Sequence, residues 1–180
     1  AVVMIDPRTG EVLALASTPT YDASAIANPV TSQAAFASLQ GDRSQPLLPR
    51  ATLGRYVPGS VFKIVTAIAG LGSGAITPAT TYSEQPGAER KGLVVDGFRV
   101  LDGHHLFTGS QDLDLVSATG VSCNIWYALT GLRTGGADLV AYAERMGFGS
   151  TLPFDLPTAV SQVTNGTGKQ PGGFLDDVEL

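Results

Sequence analysis

Cysteine is almost missing from this chain: Cys123 stands alone among 180 residues, which excludes an internal disulfide. That suits either a reducing compartment or an envelope protein that does without disulfides. Histidine is equally scarce. His104 and His105 sit side by side in a Gly-flanked polar stretch, which predicts exposed loop residues. No Cys/His/Asp constellation is visible around them, so neither a metal nor any other cofactor is expected. Charge is thin as well: 15% of residues are charged and the net charge is −5, which argues against a nucleic-acid partner. No run approaches the roughly 20 apolar residues of a membrane span, and no signal peptide is visible. The chain opens directly on the strand-like Ala1-Val2-Val3-Met4-Ile5-Asp6, as a piece cut from a longer protein would. There is no internal repeat and no low-complexity tract.

What is present reads as one globular, loop-rich domain or part of one, with 43% apolar residues, 22 glycines and 11 prolines. Two apolar runs, residues 2–5 and 11–16, flank the turn Asp6-Pro7-Arg8-Thr9-Gly10 and predict an antiparallel hairpin. Apolar residues on both of its faces predict a sheet covered by helices. From 17 to 55 the signals are weak, with Pro19, Pro29, Pro46 and Pro49 breaking any long element. The strongest helix covers about 61–71, closed by Gly72-Ser73-Gly74; it is apolar nearly all round, which predicts a central, buried position. Residues 77–111 read as loops with short strands at 92–95 and 98–101. Asp112 or Asp114 caps a short helix through Thr119, closed by Gly120. Two further helices are expected at 125–131 and 137–146, the last ended by Gly147-Phe148-Gly149. Beyond Ser150 no periodicity emerges.

The chemistry concentrates at Tyr56-Val57-Pro58-Gly59-Ser60-Val61-Phe62-Lys63. Residues three apart share a helix face, so Ser60 and Lys63 can exchange a hydrogen bond. An ammonium in an apolar run is costly unless paired or deprotonated, and a neutral lysine beside a serine is a way to make a nucleophile without histidine. The helix N-terminus adds backbone N–H groups able to hold an oxyanion. The bare pattern is weak: with 13 serines and three lysines, about 0.2 Ser-x-x-Lys matches arise by chance. Ser60 as a helix cap and Lys63 as a snorkelling side chain is the competing reading.

The flanks narrow the choice. Residues 1–17, the following Thr18-Pro19-Thr20-Tyr21-Asp22, Arg50-Ala51 ahead of the Ser60 segment, and Ser122-Cys123-Asn124 downstream together resemble the transpeptidase domain of penicillin-binding proteins, within the serine acyltransferase and β-lactamase superfamily. The resemblance covers most of residues 1–149 and is similar in detail to the class B, monofunctional D,D-transpeptidases. It implies an α/β fold: an antiparallel sheet flanked by helices plus an all-helical subdomain. Residues 1–180 would then be a partial domain, with the opening hairpin at 1–17, the central helix at 60–72 and the Ser-x-Asn motif within a helical region at 112–149.

By that resemblance Ser60 is the acylated nucleophile, with its backbone N–H forming half the oxyanion hole. Lys63 is the general base, Ser122 relays a proton to the leaving group, and Asn124 binds the substrate backbone and helps hold Lys63. Cys123, between them, is expected to be a small packed residue. The implied partners are peptidoglycan stem peptides ending in D-Ala-D-Ala, β-lactam antibiotics and the membrane-bound cell-wall synthesis machinery. The implied location is the extracytoplasmic face of the bacterial membrane, with an anchoring N-terminal helix outside this chain.

Departures matter too. The family's third motif, Lys-Thr-Gly or Lys-Ser-Gly on a strand, is absent; Gly166-Thr167-Gly168-Lys169-Gln170-Pro171 has similar letters in the wrong order. The motif is expected beyond Leu180, so this piece alone is expected to acylate little. Pro49-Arg50 stands where relatives often have Asn-Arg. A serine β-lactamase is the nearest alternative, but Glu144 does not sit in the Glu-x-x-Leu-Asn context that deacylation would need. A non-catalytic β-lactam sensor, or an inert scaffold of the cell-wall machinery, is the alternative of another class.

Overall fold

A computed structural model describes residues 1–95, 97–103, 105 and 111–163. His104 and the 166–171 segment lie outside the described residues. The described residues form two compact units, 1–56 with 151–160, and 57–150 with 161–163.

In the first unit, β1 (Val2–Ile5) pairs antiparallel with β2 (Val12–Ala16), Val3 opposite Leu15, with an irregularity between Met4 and Ile5. The turn is closed by Asp6, whose carboxylate accepts from the Arg8 backbone N–H and whose carbonyl accepts from Gly10 N at 2.8 Å. Gly10 sits at φ +78°, where only glycine is unstrained. Three helices then appear where few signals stood: α1 (Ala23–Ala27), α2 (Ser32–Gly41) and α3 (Arg50–Leu53). The prolines lie between them rather than inside them, and the Asp22 carboxylate caps α1 by accepting from Ser24 N. Ser17 Oγ accepts from Ala51 N at 3.0 Å, tying the end of β2 to α3.

The hairpin's apolar side chains stay open in this unit: Val2, Met4, Ile5 and Leu13 are each more than half exposed, and a two-stranded sheet by itself has little to pack against.

The second unit holds the main core. A 3-10 turn (Gly59–Val61) leads into α4 (Phe62–Gly72), which packs against both α7 (Asn124–Thr134) and α8 (Gly136–Arg145). Between them come α5 (Gln85–Lys91), the hairpin β3 (Leu93–Val95) and β4 (Phe98–Val100), and α6 (Leu115–Gly120). Asp114 caps α6 through a reciprocal pair with Ser117. Trp126, Leu113, Ile125 and Cys123 are fully buried at the centre, with the Trp126 ring edge-on to Tyr82 and Tyr127. The buried Gln85 amide is used at both ends, donating to Glu89 Oε1 and accepting from Leu113 N at 2.8 Å. A smaller cluster joins Val65, Ala143 and Val163, with Phe62 packed edge-on to Phe148. Close approach is bought at Gly70, where a Cβ would stand 3.0 Å from Ile76 and 3.2 Å from Thr134.

Helix α4 is only half as buried as its composition predicts. Val65, Thr66, Ala69 and Gly70 face α7 and α8, whereas Ile64, Ile68 and Leu71 form an exposed i, i+4, i+7 stripe. The described elements of this unit cover one side of the helix and leave that stripe open. Because Trp126 is the largest fully buried side chain, Trp126→Ala should destabilise this unit by about 3–5 kcal/mol. Urea unfolding should show a lower midpoint with an unchanged slope.

Candidate active site

Four side chains singled out from the sequence meet at one point. Lys63, in the first turn of α4, directs Nζ at Ser122 O (2.5 Å), Asn124 Oδ1 (2.6 Å), Ser122 Oγ (2.9 Å) and Ser60 Oγ (3.3 Å). Ser122 Oγ stands 3.0 Å from Ser60 Oγ, closing a triangle of two hydroxyls and one amine. Ser60 lies in the 3-10 turn rather than at a helix cap, and the residues flanking that turn make no side-chain cap bond. Lys63 turns inward and does not snorkel. Both bland readings of the pair therefore fail.

Local backbone geometry aims these groups. Gly59 takes φ +56° immediately before Ser60. Ser122, which is not glycine, also lies at φ +56°, a left-handed conformation that costs about 1 kcal/mol or more. It lets the carbonyl and the hydroxyl of one residue face the same ammonium. Cys123, not Ser122, caps α7, its Sγ accepting from Trp126 N. Asn124 cannot be turned over: its Nδ2 donates to Leu101 O at 2.9 Å, which leaves Oδ1 for Lys63. Asp102 fixes the same turn from below, accepting from Asn124 N (3.0 Å), Ile125 N (3.4 Å) and Cys123 Sγ (2.9 Å).

Burial pushes the Lys63 pKa below the ordinary lysine value, opposed in part by the negative charge of Asp102 and by Cys123. Ser122 O and Asn124 Oδ1 can only accept, so Nζ donates to both, and the Ser60 and Ser122 hydroxyls lie within hydrogen-bond distance of the same nitrogen. Burial raises the Asp102 carboxyl, but hydrogen bonds from Cys123 and the backbone of Asn124, Gly103 and Ile125 outweigh it and hold the group below the usual range. A cleft of about 280 Å³ opens beside the triangle, walled by Ile64, Ala67, Leu115 and Tyr127.

Two expectations from the sequence are overturned next to this site. His105 is not an exposed loop residue: its side chain is 10% exposed, with Nε2 3.5 Å from Glu89 Oε1 and 3.8 Å from Asp102 Oδ2. And a Cys/His/Asp/Glu constellation does exist. Glu89, Asp102, His105 and Cys123 each offer a donor atom, all within 4.8 Å of one another. Cys123 Sγ lies 2.9 Å from Asp102 and 3.3 Å from Glu89, and burial, then the Asp102 hydrogen bond, pushes its thiol strongly up. It is packed and inert as a thiol, as expected, yet one thiol proton faces two carboxylates. Donors about 3.4 Å apart are what a tetrahedral ion with bonds near 2.1 Å requires, so these four could hold a divalent cation such as zinc. The cluster draws on α5, the segment after β4 and the cap of α7, which is why no local motif announces it; the Asp102/His105 spacing of three was the only sequence hint.

Elemental analysis of protein purified without chelator is expected to find about one zinc per chain, lost in Cys123→Ala. Failure to retain zinc even after reconstitution would leave the four groups as a hydrogen-bonded cluster.

Residues 1–171 match the penicillin-binding protein transpeptidase domain family. The chain is 34% identical over 173 residues to the peptidoglycan D,D-transpeptidase PbpA of Mycolicibacterium smegmatis, spanning 92% of this chain and 33% of that protein. It is 32% identical over 158 residues to the D,D-transpeptidase MrdA of Acinetobacter baumannii, 88% of this chain and 23% of that protein. The penicillin G acyl-enzyme complex of penicillin-binding protein A from M. tuberculosis superposes with a TM-score of 0.73 at 30% identity, covering 89% of this chain and 37% of that one. PBP2 of Pseudomonas aeruginosa, solved with WCK 5153, gives 0.71 at 28% identity over 88% and 33%. The chain thus spans about a third or less of the length of the curated relatives named here. Its fold is the α/β fold of these transpeptidases, and the chain belongs to the penicillin-binding protein transpeptidase domain family.

Proposed function

We propose that the protein containing this chain is a serine D,D-transpeptidase that cross-links peptidoglycan stem peptides and is acylated by β-lactams. The observation that carries the proposal is the closed triangle of Ser60 Oγ, Lys63 Nζ and Ser122 Oγ, with edges of 3.3, 2.9 and 3.0 Å. In the first half-reaction Ser60 Oγ attacks the carbonyl of the penultimate D-Ala and passes its proton to the neutral Lys63 amine. The Ser60 backbone N–H holds one side of the developing oxyanion. The C–N bond then breaks, and Ser122 hands a proton, replaced from Lys63, to the departing D-Ala amine. What remains is a Ser60 ester. An amine of a neighbouring stem peptide attacks it, the proton path runs in reverse, and Ser60 is regenerated with a new peptide bond formed. Asn124 serves twice, fixing Lys63 through Oδ1 and lying where a substrate amide would pass. A β-lactam enters by the same attack, but its amine stays tethered after ring opening, so the ester persists.

The reading includes action outside the cytoplasmic membrane, where stem peptides are cross-linked, beside other cell-wall enzymes and with an anchor elsewhere in the parent protein. Similarity to D,D-transpeptidases and to β-lactam acyl-enzymes supports it.

The full-length protein incubated with a fluorescent penicillin should gain one covalent adduct, mapped by mass spectrometry to Ser60 and absent in Ser60→Ala. An adduct elsewhere, or none, would remove the proposed nucleophile; steady hydrolysis of nitrocefin without a trapped ester would point to a β-lactamase instead.

A further inference from the structure

Tyr127 has no role in the sequence motifs, yet it forms a wall of the cleft beside Ser60 and Lys63. It is one turn beyond Asn124 on α7, so both residues lie on one helix face. Asn124 meets Lys63 Nζ with an oxygen, and Tyr127 meets it with its ring, whose centroid is 5.6 Å from the nitrogen. That is within the range over which an aromatic face attracts a cation.

The ring is fixed at both ends. Its body is 5% exposed and packs edge-on to Trp126 at 5.0 Å. Its hydroxyl lies 2.6 Å from Thr119 Oγ1, and Thr119 spends its only hydroxyl proton on Leu115 O, also at 2.6 Å. Thr119 must then accept, so the phenol donates, and the relay Tyr127→Thr119→Leu115 O pins the ring to α6. A ring held this way is preorganised rather than free to swing aside.

We propose that Tyr127 is a positioning residue for Lys63, its ring face holding the ammonium in place between the Ser60 and Ser122 oxygens. The inference rests on the acyl-transfer reading given above. Lys63 is neutral before attack and charged after taking the Ser60 proton. Once Ser60 oxygen becomes an ester oxygen it offers the ammonium a poorer acceptor. The aromatic face favours the charged form at that moment and keeps Nζ within reach of Ser122, to which the proton must go next. The oxygens of Ser122 and Asn124 hold the amine in both states, and the Tyr127 ring adds to the preference for the charged one. It should therefore act on the acylation step and not on donor affinity.

The test is acylation of the full-length protein by fluorescent penicillin, with the rate constant of the chemical step separated from the non-covalent dissociation constant. Tyr127→Leu is expected to slow the chemical step about tenfold and leave the dissociation constant within about twofold, whereas Tyr127→Phe, which keeps the ring, loses about threefold or less. Pentafluorophenylalanine at 127 keeps the shape and reverses the ring's field, so it serves if the leucine variant folds poorly. It should react about fivefold more slowly than the phenylalanine variant. Equal rates for those two aromatic variants, or a loss that falls on the dissociation constant, would overturn the inference. A wild-type protein that is not acylated at all would sink the functional reading first, and this one with it.

Discussion

Everything in the larger unit is arranged around one nitrogen. Lys63 Nζ sits among oxygens from Ser60, three residues away, and from Ser122 and Asn124, about sixty residues away. Taking an amine out of water is unfavourable for its charged form, and only a site that satisfies it can retain it. Here satisfaction comes from acceptors whose own orientation is already fixed. Asn124 is locked by Leu101, and Ser122 is held in a left-handed conformation between α6 and α7. The elements α4, α6 and α7 are, in effect, the scaffold that keeps four short distances constant.

The ring of support widens outward from that point. Asp102 accepts three hydrogen bonds from residues 123–125 and so fixes the turn that carries Ser122 and Asn124. Glu89, His105 and Cys123 gather around the same carboxylate. Trp126 and Ile125 lie fully buried beneath, so the start of α7 is anchored in the core while its neighbours reach the cleft. A functional group is accurate only if the layer behind it is rigid, and here Asp102, with its bonds to Cys123, Asn124 and Ile125, supplies that layer.

How much of this the sequence disclosed depends on how local each feature is. Ser60 and Lys63 are one helical turn apart, and Ser122 and Asn124 flank a cap, so short-range spacing carried them. Strong punctuation carried α4, α6 and α8: Gly72-Ser73-Gly74 at the end of α4, Asp114 before α6, Gly147-Phe148-Gly149 after α8. Helix α2 was invisible because Ser32–Gly41 is rich in alanine without apolar periodicity, and α5 because Pro86 and Gly87 sit in its first turn. Pro86 there costs nothing, since the first N–H groups have no helical partner. The exposed stripe of Ile64, Ile68 and Leu71 and the open hairpin could not be foreseen from hydrophobicity, which records what a residue prefers and not what is there to cover it. The cluster at His105 needed three dimensions: its members come from residues 89, 102, 105 and 123.

The central claim is that folding leaves more of Lys63 as the neutral amine than an ordinary lysine has at the same pH. With Lys63, Lys91 and Lys169 the only lysines of this segment, nitrogen NMR on lysine-labelled protein can follow its ammonium directly. Lys63 is expected to titrate below the ordinary lysine value of 10.5. Because its folded pKa is depressed, the native state binds fewer protons than the unfolded one over that interval, and stability rises with pH through it. A Lys63 signal that titrates at or above that ordinary value would contradict the account.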